Sequence, residues 1–216
     1  MFTAALNLSA QDTARIVERF ERTYRSSKTL QANFLQIYSE NGRQVRSEAG
    51  VAYFARPGRM RWEYHSPEHN LYVIDGKWSW FYVADDHTAT RIKAKESSDW
   101  RTPLALLAGE MKVSRICGHV SQETVALPSI SSNLLLRCEL RGSADRGEQV
   151  LFEVNPVNGE LARIIVMDHG GIQVEFRFSN WQFDPRLDRR MFEFLPPKGV
   201  AIVNGDLMAP SEGLQK

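Results

Sequence analysis

The chain has 216 residues, 43% of them hydrophobic and 10% aromatic, which is enough apolar mass for one core within the size of a single domain. Lys and Arg total 27 against 26 Asp and Glu, so no net field draws the chain toward nucleic acid or an anionic membrane. No run of about 18 apolar residues is present to span a bilayer as a helix, and the opening MFTAALNLSA is too short and polar to be read as a signal peptide.

Residues 12–26 place Ile16, Val17, Phe20 and Tyr24 on one stripe, with Arg15, Glu18, Arg19 and Arg22 elsewhere. That spacing predicts an amphipathic helix, capped by Ser9 or Asp12. From Leu30 the period falls to two: 31–38 and 48–54 read as strands of a hairpin that turns at Glu40-Asn41-Gly42. Strands RMRWEY (59–64), LYVID (71–75) and WSWFYVA (78–84) follow, punctuated by Pro57-Gly58, Ser66-Pro67 and Asp75-Gly76. TPLALLAGEM (102–111) predicts a short helix with Thr102 as its cap and Pro103 at its first position. Strands resume at 134–140, 150–155, 161–168 and 172–181, giving about ten strands and two helices. Such a run favours one strongly curved antiparallel sheet or a barrel, whose hollow is the natural place for the apolar stripes of the helices. One domain is expected over 1–216, with about 1–11 and 204–216 loosely ordered.

Catalytic patterns are missing. His65, His69, His87, His119 and His169 are scattered, without HExxH, CxxC or a close ligand cluster, and there is no GxSxG elbow, Walker loop or GxGxxG turn. Asp168 and His169 are adjacent, but in a strand they would face opposite sides. The expectation is a protein that is not an enzyme and takes no metal and no cofactor. Cys117 and Cys138 flank the turn-prone LPSISSN, so two antiparallel strands could bring them together as a disulfide; two buried thiols are the other reading. Closing a loop of about 20 residues would stabilise the fold by roughly 3 kcal/mol.

Aromatic side chains are dense between Tyr53 and Tyr82. Alternation in RMRWEY groups Met60, Trp62 and Tyr64 on an inward face and Arg59, Arg61 and Glu63 outside. In GVAYFAR the same rule groups Gly50, Ala52, Phe54 and Arg56, so an arginine ends an inward row. Pattern alone does not separate a filled aromatic core, with Arg56 reaching to solvent, from a ligand cavity.

RPGRMRWEY (56–64) followed by VIDGKWSWFY (73–82) resembles the central signature of the LolA family of outer-membrane lipoprotein carriers. The resemblance extends to the FxQ of Phe34 and Gln36, to TPLALLAG, and to IVMDHGGIQVEFRFSNW running into MFEFLPPKGVAIV, over roughly residues 12–203. Met60 stands where many members carry an aromatic residue, and the cysteine pair is not a general feature of the family. The resemblance implies an unclosed antiparallel β-barrel of about ten to eleven strands with a helical lid over a hydrophobic cavity. It implies a monomeric periplasmic shuttle that takes acylated lipoproteins from an inner-membrane ABC-type releasing complex and passes them to an outer-membrane receptor lipoprotein, its export signal absent from this chain. The expected cavity residues are Phe34, Phe54, Met60, Trp62, Tyr64, Val73 and Trp80, with Arg56 as a latch and Phe20, Leu104 and Leu107 as the underside of the lid. Rivals are a LolB-like receptor or a lipid-sensing domain of the same architecture, and a β-domain with a closed aromatic core that binds protein partners. The lack of an N-terminal lipidation cysteine disfavours the receptor.

Overall fold

The computed structural model describes residues 10–94, 104–109, 112–141, 149–167 and 170–205. Helix α1 (Ala10–Arg25) buries Ile16, Phe20 and Tyr24 on its apolar stripe, while Asp12 sits inside the first turn rather than before it and Ser9 lies outside the described residues. Strands β1 (Thr29–Glu40) and β2 (Arg43–Ala55) follow. They meet through Asn41 and Gly42, both at positive φ (50° and 78°), the two-residue turn whose twist matches that of its strands. A meander continues through β3 (Arg59–Ser66), β4 (Leu71–Ile74), β5 (Trp78–Val83) and β6 (Thr88–Lys93). After α2 (Ala105–Ala108), a second meander runs through β7 (Cys117–Gln122), β8 (Leu134–Leu140), β9 (Gln149–Val154), β10 (Leu161–Met167) and β11 (Ile172–Phe183), and β12 (Ala201–Asn204) ends it.

These twelve strands form one sheet in the order β12-β6-β5-β4-β3-β2-β1-β11-β10-β9-β8-β7. The two meanders are joined where β1 pairs with β11, and β7 and β12 are the edges of an open, mixed α+β architecture. The expectation of about ten to eleven strands is therefore low. The strands missing from the sequence reading are β6, β7 and β12, which are short and show no apolar alternation; β12 is exposed at every residue. The expectation of a wholly antiparallel sheet is corrected too, because β12 runs parallel to β6. Asn204, expected to be loose, is the last residue of β12, paired with Arg91. The second helix is shorter than the expected 102–111, and Thr102, Pro103, Asp168, His169 and residues 206–216 lie outside the described residues.

The main core lies on the concave face and takes residues from both meanders and both helices. Gly50 permits one close approach within it, since a Cβ there would overlap the carbonyl oxygen of Glu63 on β3 and crowd the Phe34 ring. Cys117 and Cys138 form a disulfide that ties the edge strand β7 to β8. On the convex face, buried Glu153 accepts from Arg163 Nε (2.7 Å), from the backbone amides of Ser129 (2.9 Å) and Ile130 (3.0 Å), and from Asn133 Nδ2 (3.2 Å). This fixes the long β7–β8 loop to the sheet.

Candidate functional site beneath the helices

The inward rows of the central strands converge on Trp62, which is fully buried. Its ring is met by Phe34 (4.7 Å), Phe176 (5.4 Å), Phe54 (5.8 Å) and Phe178 (6.1 Å), all close to edge-to-face, the arrangement that ring quadrupoles favour. Phe34 also meets Tyr64 at 5.1 Å, and Met60 joins the same cluster. Five of the seven expected cavity residues, Phe34, Phe54, Met60, Trp62 and Tyr64, thus stand together.

Val73 and Trp80 do not join them. Trp62 pairs with Tyr72 and Tyr72 with Phe81, so Tyr72 and Phe81 occupy the inward row and their neighbours point the other way. Val73 and Trp80 form a separate cluster with Ala89, covered by Phe194 of the C-terminal segment at 5.2 Å from the Trp80 ring. The run Trp78-Ser79-Trp80-Phe81-Tyr82 carries aromatic residues on both faces, so alternation cannot say which set is inside.

Both helices close over the cluster. Phe20 packs against Tyr24 (5.6 Å) and Phe152 (5.8 Å), and Tyr24 against Trp181 (5.1 Å) and Phe183 (5.5 Å). Leu104 and Leu107 are buried in the same core as Phe20 and the rings around Trp62. Among the described residues, the space beneath the helices is occupied by the protein's own buried side chains. Phe152, Phe176, Phe178 and Trp181 belong to it although the sequence reading did not select them. The alternation of Val174, Phe176 and Phe178 along β11 was the available signal.

Arg56 joins the pieces. Its Nη1 donates to the carbonyl oxygens of Tyr24 (2.7 Å), Arg25 (2.9 Å) and Ser27, and its Nη2 donates to that of Leu107 (3.2 Å). These are C-terminal carbonyls of α1 and α2 together with the connection after α1, groups that a helix leaves without internal donors and that carry partial negative charge. Gly58, two residues on, donates its backbone N–H to Ala108 (2.8 Å), so the β2–β3 turn caps α2 as well. Burial lowers the Arg56 pKa, an effect that Asp184 opposes and Arg25 reinforces.

Further bonds hold the C-terminal half of α1. The Tyr24 hydroxyl accepts from the Leu161 amide (2.8 Å), and burial pushes its pKa far up. Thr23 Oγ1 donates to Asn158 (2.7 Å) and Arg19 donates to Pro156. Gly159 lies so near that a Cβ would stand 2.7 Å from Thr23 Oγ1 and 2.8 Å from the Arg19 carbonyl. Between Arg19 and Thr23, Glu21 accepts from the Val113 amide (2.7 Å). Beyond it a cleft of about 380 Å³ separates α1 from the edge strand, lined by Ala14, Val17, Val113, Cys117 and Val120 among others.

A sequence model of the family described as outer membrane lipoprotein carrier protein LolA matches residues 25–195. The chain is similar to the outer-membrane lipoprotein carrier protein of Chromobacterium violaceum, 32% identical over 212 residues that cover 95% of this chain and 97% of that one. It is also similar to the protein of the same description from Nitrosomonas europaea, 29% identical over 199 residues, covering 88% and 89%. In fold it is similar to an uncharacterized conserved protein from Thermus thermophilus, with a TM-score of 0.55 at 14% identity over 89% of this chain and 98% of that chain.

Proposed function

The chain belongs to the LolA family of outer-membrane lipoprotein carriers, and from that premise we propose that its lidded concave face takes up the acyl chains of lipoproteins in the periplasm. On this reading the open sheet is an unclosed barrel and its aromatic interior is a collapsed cavity. The donor is the inner-membrane ABC-type releasing complex, and the acceptor is a receptor lipoprotein at the outer membrane. The family is one of carriers, not enzymes.

Magnitudes support a latched lid. A lipoprotein acyl chain carries more than a dozen methylenes, each worth about 0.8 kcal/mol when removed from water, so on the order of 10 kcal/mol per chain opposes free diffusion. A partly exposed hydrogen bond contributes about 0.5–1.5 kcal/mol net, so the bonds of Arg56 hold the lid by a few kcal/mol. One chain can therefore open it. Displacing the lid uncovers apolar surface, and the tendency to re-cover it helps to drive the lipid onward to an acceptor of higher affinity.

The observation that carries this reading is Arg56, which bonds both helices at once across an interior in which a cluster of rings around Trp62 is packed among aliphatic side chains. A second reading, a plain aromatic core, is favoured by the full burial of Trp62 and its neighbours. The two are separated by displacement of an environment-sensitive fluorescent fatty acyl probe. A triacylated lipopeptide should displace the probe and its non-acylated counterpart should not; if neither probe nor lipopeptide binds, the interior is a closed core.

A further inference from the structure

Polarity on the concave face is graded along the strands. The inward row of β1 reads Leu30, Ala32, Phe34, Gln36 and Tyr38, all buried. Opposite them on β2 stand Phe54, Ala52, Gly50, Glu48 and Arg46. Toward Arg56 these rows are apolar, whereas toward the Asn41-Gly42 turn they become polar while staying more than nine-tenths buried at Gln36, Tyr38 and Glu48. Gln36 Oε1 accepts from the Tyr64 hydroxyl at 3.0 Å, and Glu48 Oε1 accepts from Arg46 Nη2 at 2.7 Å. The Tyr38 hydroxyl is buried and has no hydrogen-bond partner among the described residues.

An unpaired buried hydroxyl is a standing cost that phenylalanine would avoid at the same volume. Trp62 Nε1 is unpaired as well, but Phe34 and Phe176 meet that ring edge to face, and ring faces are weak acceptors for an N–H. The two side chains also start from different rows of the sheet. Trp62 shares the row of Ala32 through Ala52, and six strand residues, roughly 20 Å, separate that row from Tyr38. One end of the face thus offers a spare donor and the other offers rings.

A lipid with ester-linked chains has the complementary pattern: methylenes along its length and, where they join the head, carbonyl oxygens that accept and cannot donate. We propose that Tyr38 donates its hydroxyl hydrogen to an acyl-ester carbonyl of the bound lipid. The β1–β2 end of the concave face is then the subsite for the ester junction, and the Trp62 end is the subsite for the chains. This rests on the lipid-carrying reading and adds to it the side of the ligand that meets polar groups.

The test compares two lipopeptides of equal chain length, one diacyl ester and one dialkyl ether, competing for the same fluorescent acyl probe on the wild type and on Tyr38→Phe. The ether keeps the chains and lacks the carbonyl. The wild type is expected to prefer the ester by about fivefold to tenfold, the fold-change that one hydrogen bond supplies. Tyr38→Phe should abolish that preference, keep ether affinity within about twofold, and melt no lower than the wild type because its hydroxyl had no partner to lose. An equal ester-to-ether ratio in the two proteins, a matched loss of both ligands, or a lower melting temperature of the variant overturns the subsite while leaving lipid carriage standing. If neither lipopeptide binds the wild type, lipid carriage itself fails and the subsite with it.

Discussion

Arg56 holds four carbonyl oxygens, from two helices and the connection after α1, with one guanidinium. A lysine, with a single nitrogen at its tip, cannot span them in the same fork. Arg56→Leu is expected to fold, to lose about 1–3 kcal/mol of stability, and to take up an acyl probe faster, because the lid then opens at lower cost. Stopped-flow association and thermal melting check both parts; wild-type uptake kinetics in a destabilised variant would show that the arginine has no part in admission. The residue could be picked out from the sequence because a cation ends an inward row. Its partners could not, because the oxygens it holds belong to the backbone of Tyr24, Arg25, Ser27 and Leu107 and leave no mark in a side-chain pattern. Val73 and Trp80 show the opposite failure, an assignment to the wrong face: β5 is aromatic on both faces, and β4 is a short apolar run in which alternation does not mark the inner side.

At the scale of elements, α1 and the hairpin β1–β2 were readable from period and turn chemistry, with the turn placed at Glu40-Asn41-Gly42, although both strands run further toward it than the expected 31–38 and 48–54. β12 was not, since AIVN is exposed throughout and is placed by pairing with β6 rather than by burial. The β7–β8 loop is held by two buried carboxylates, Glu123, which accepts from the amides of Val125 and Ala126, and Glu153, which ties the loop to the sheet. Burial by itself would raise the Glu153 pKa, but the amides of Ser129 and Ile130, the Ser129 hydroxyl and Arg163 together hold it below the usual glutamate range. A carboxyl group whose pKa is depressed in the folded state contributes stability that is fully present above its unfolded pKa and is lost as pH falls through the folded one. The wild type should therefore lose melting temperature as pH falls from about 5 toward 3. Glu153→Gln should start lower at neutral pH and fall less steeply over that interval. Parallel slopes in the two proteins would remove Glu153 from the acid response.

At the scale of the molecule, the open sheet presents two faces that are both aromatic and differ in what covers them. The concave face is covered by two helices, tied at Arg56 and at Tyr24 of α1, and a cleft lies between α1 and β7. The convex cluster around Trp80 is covered by the chain's own C-terminal segment at Phe194 and Val200. A lidded carrier uses the first face and leaves the second closed. The most direct measurement is quenching of tryptophan emission by a lipopeptide with brominated acyl chains, in one protein that keeps Trp62 as its only tryptophan and in another that keeps only Trp80. Lipid held beneath the helices should quench Trp62 strongly and Trp80 little, whereas a bound lipopeptide that leaves Trp62 bright, or quenches Trp80 instead, would mean that the chains do not enter the space under the lid.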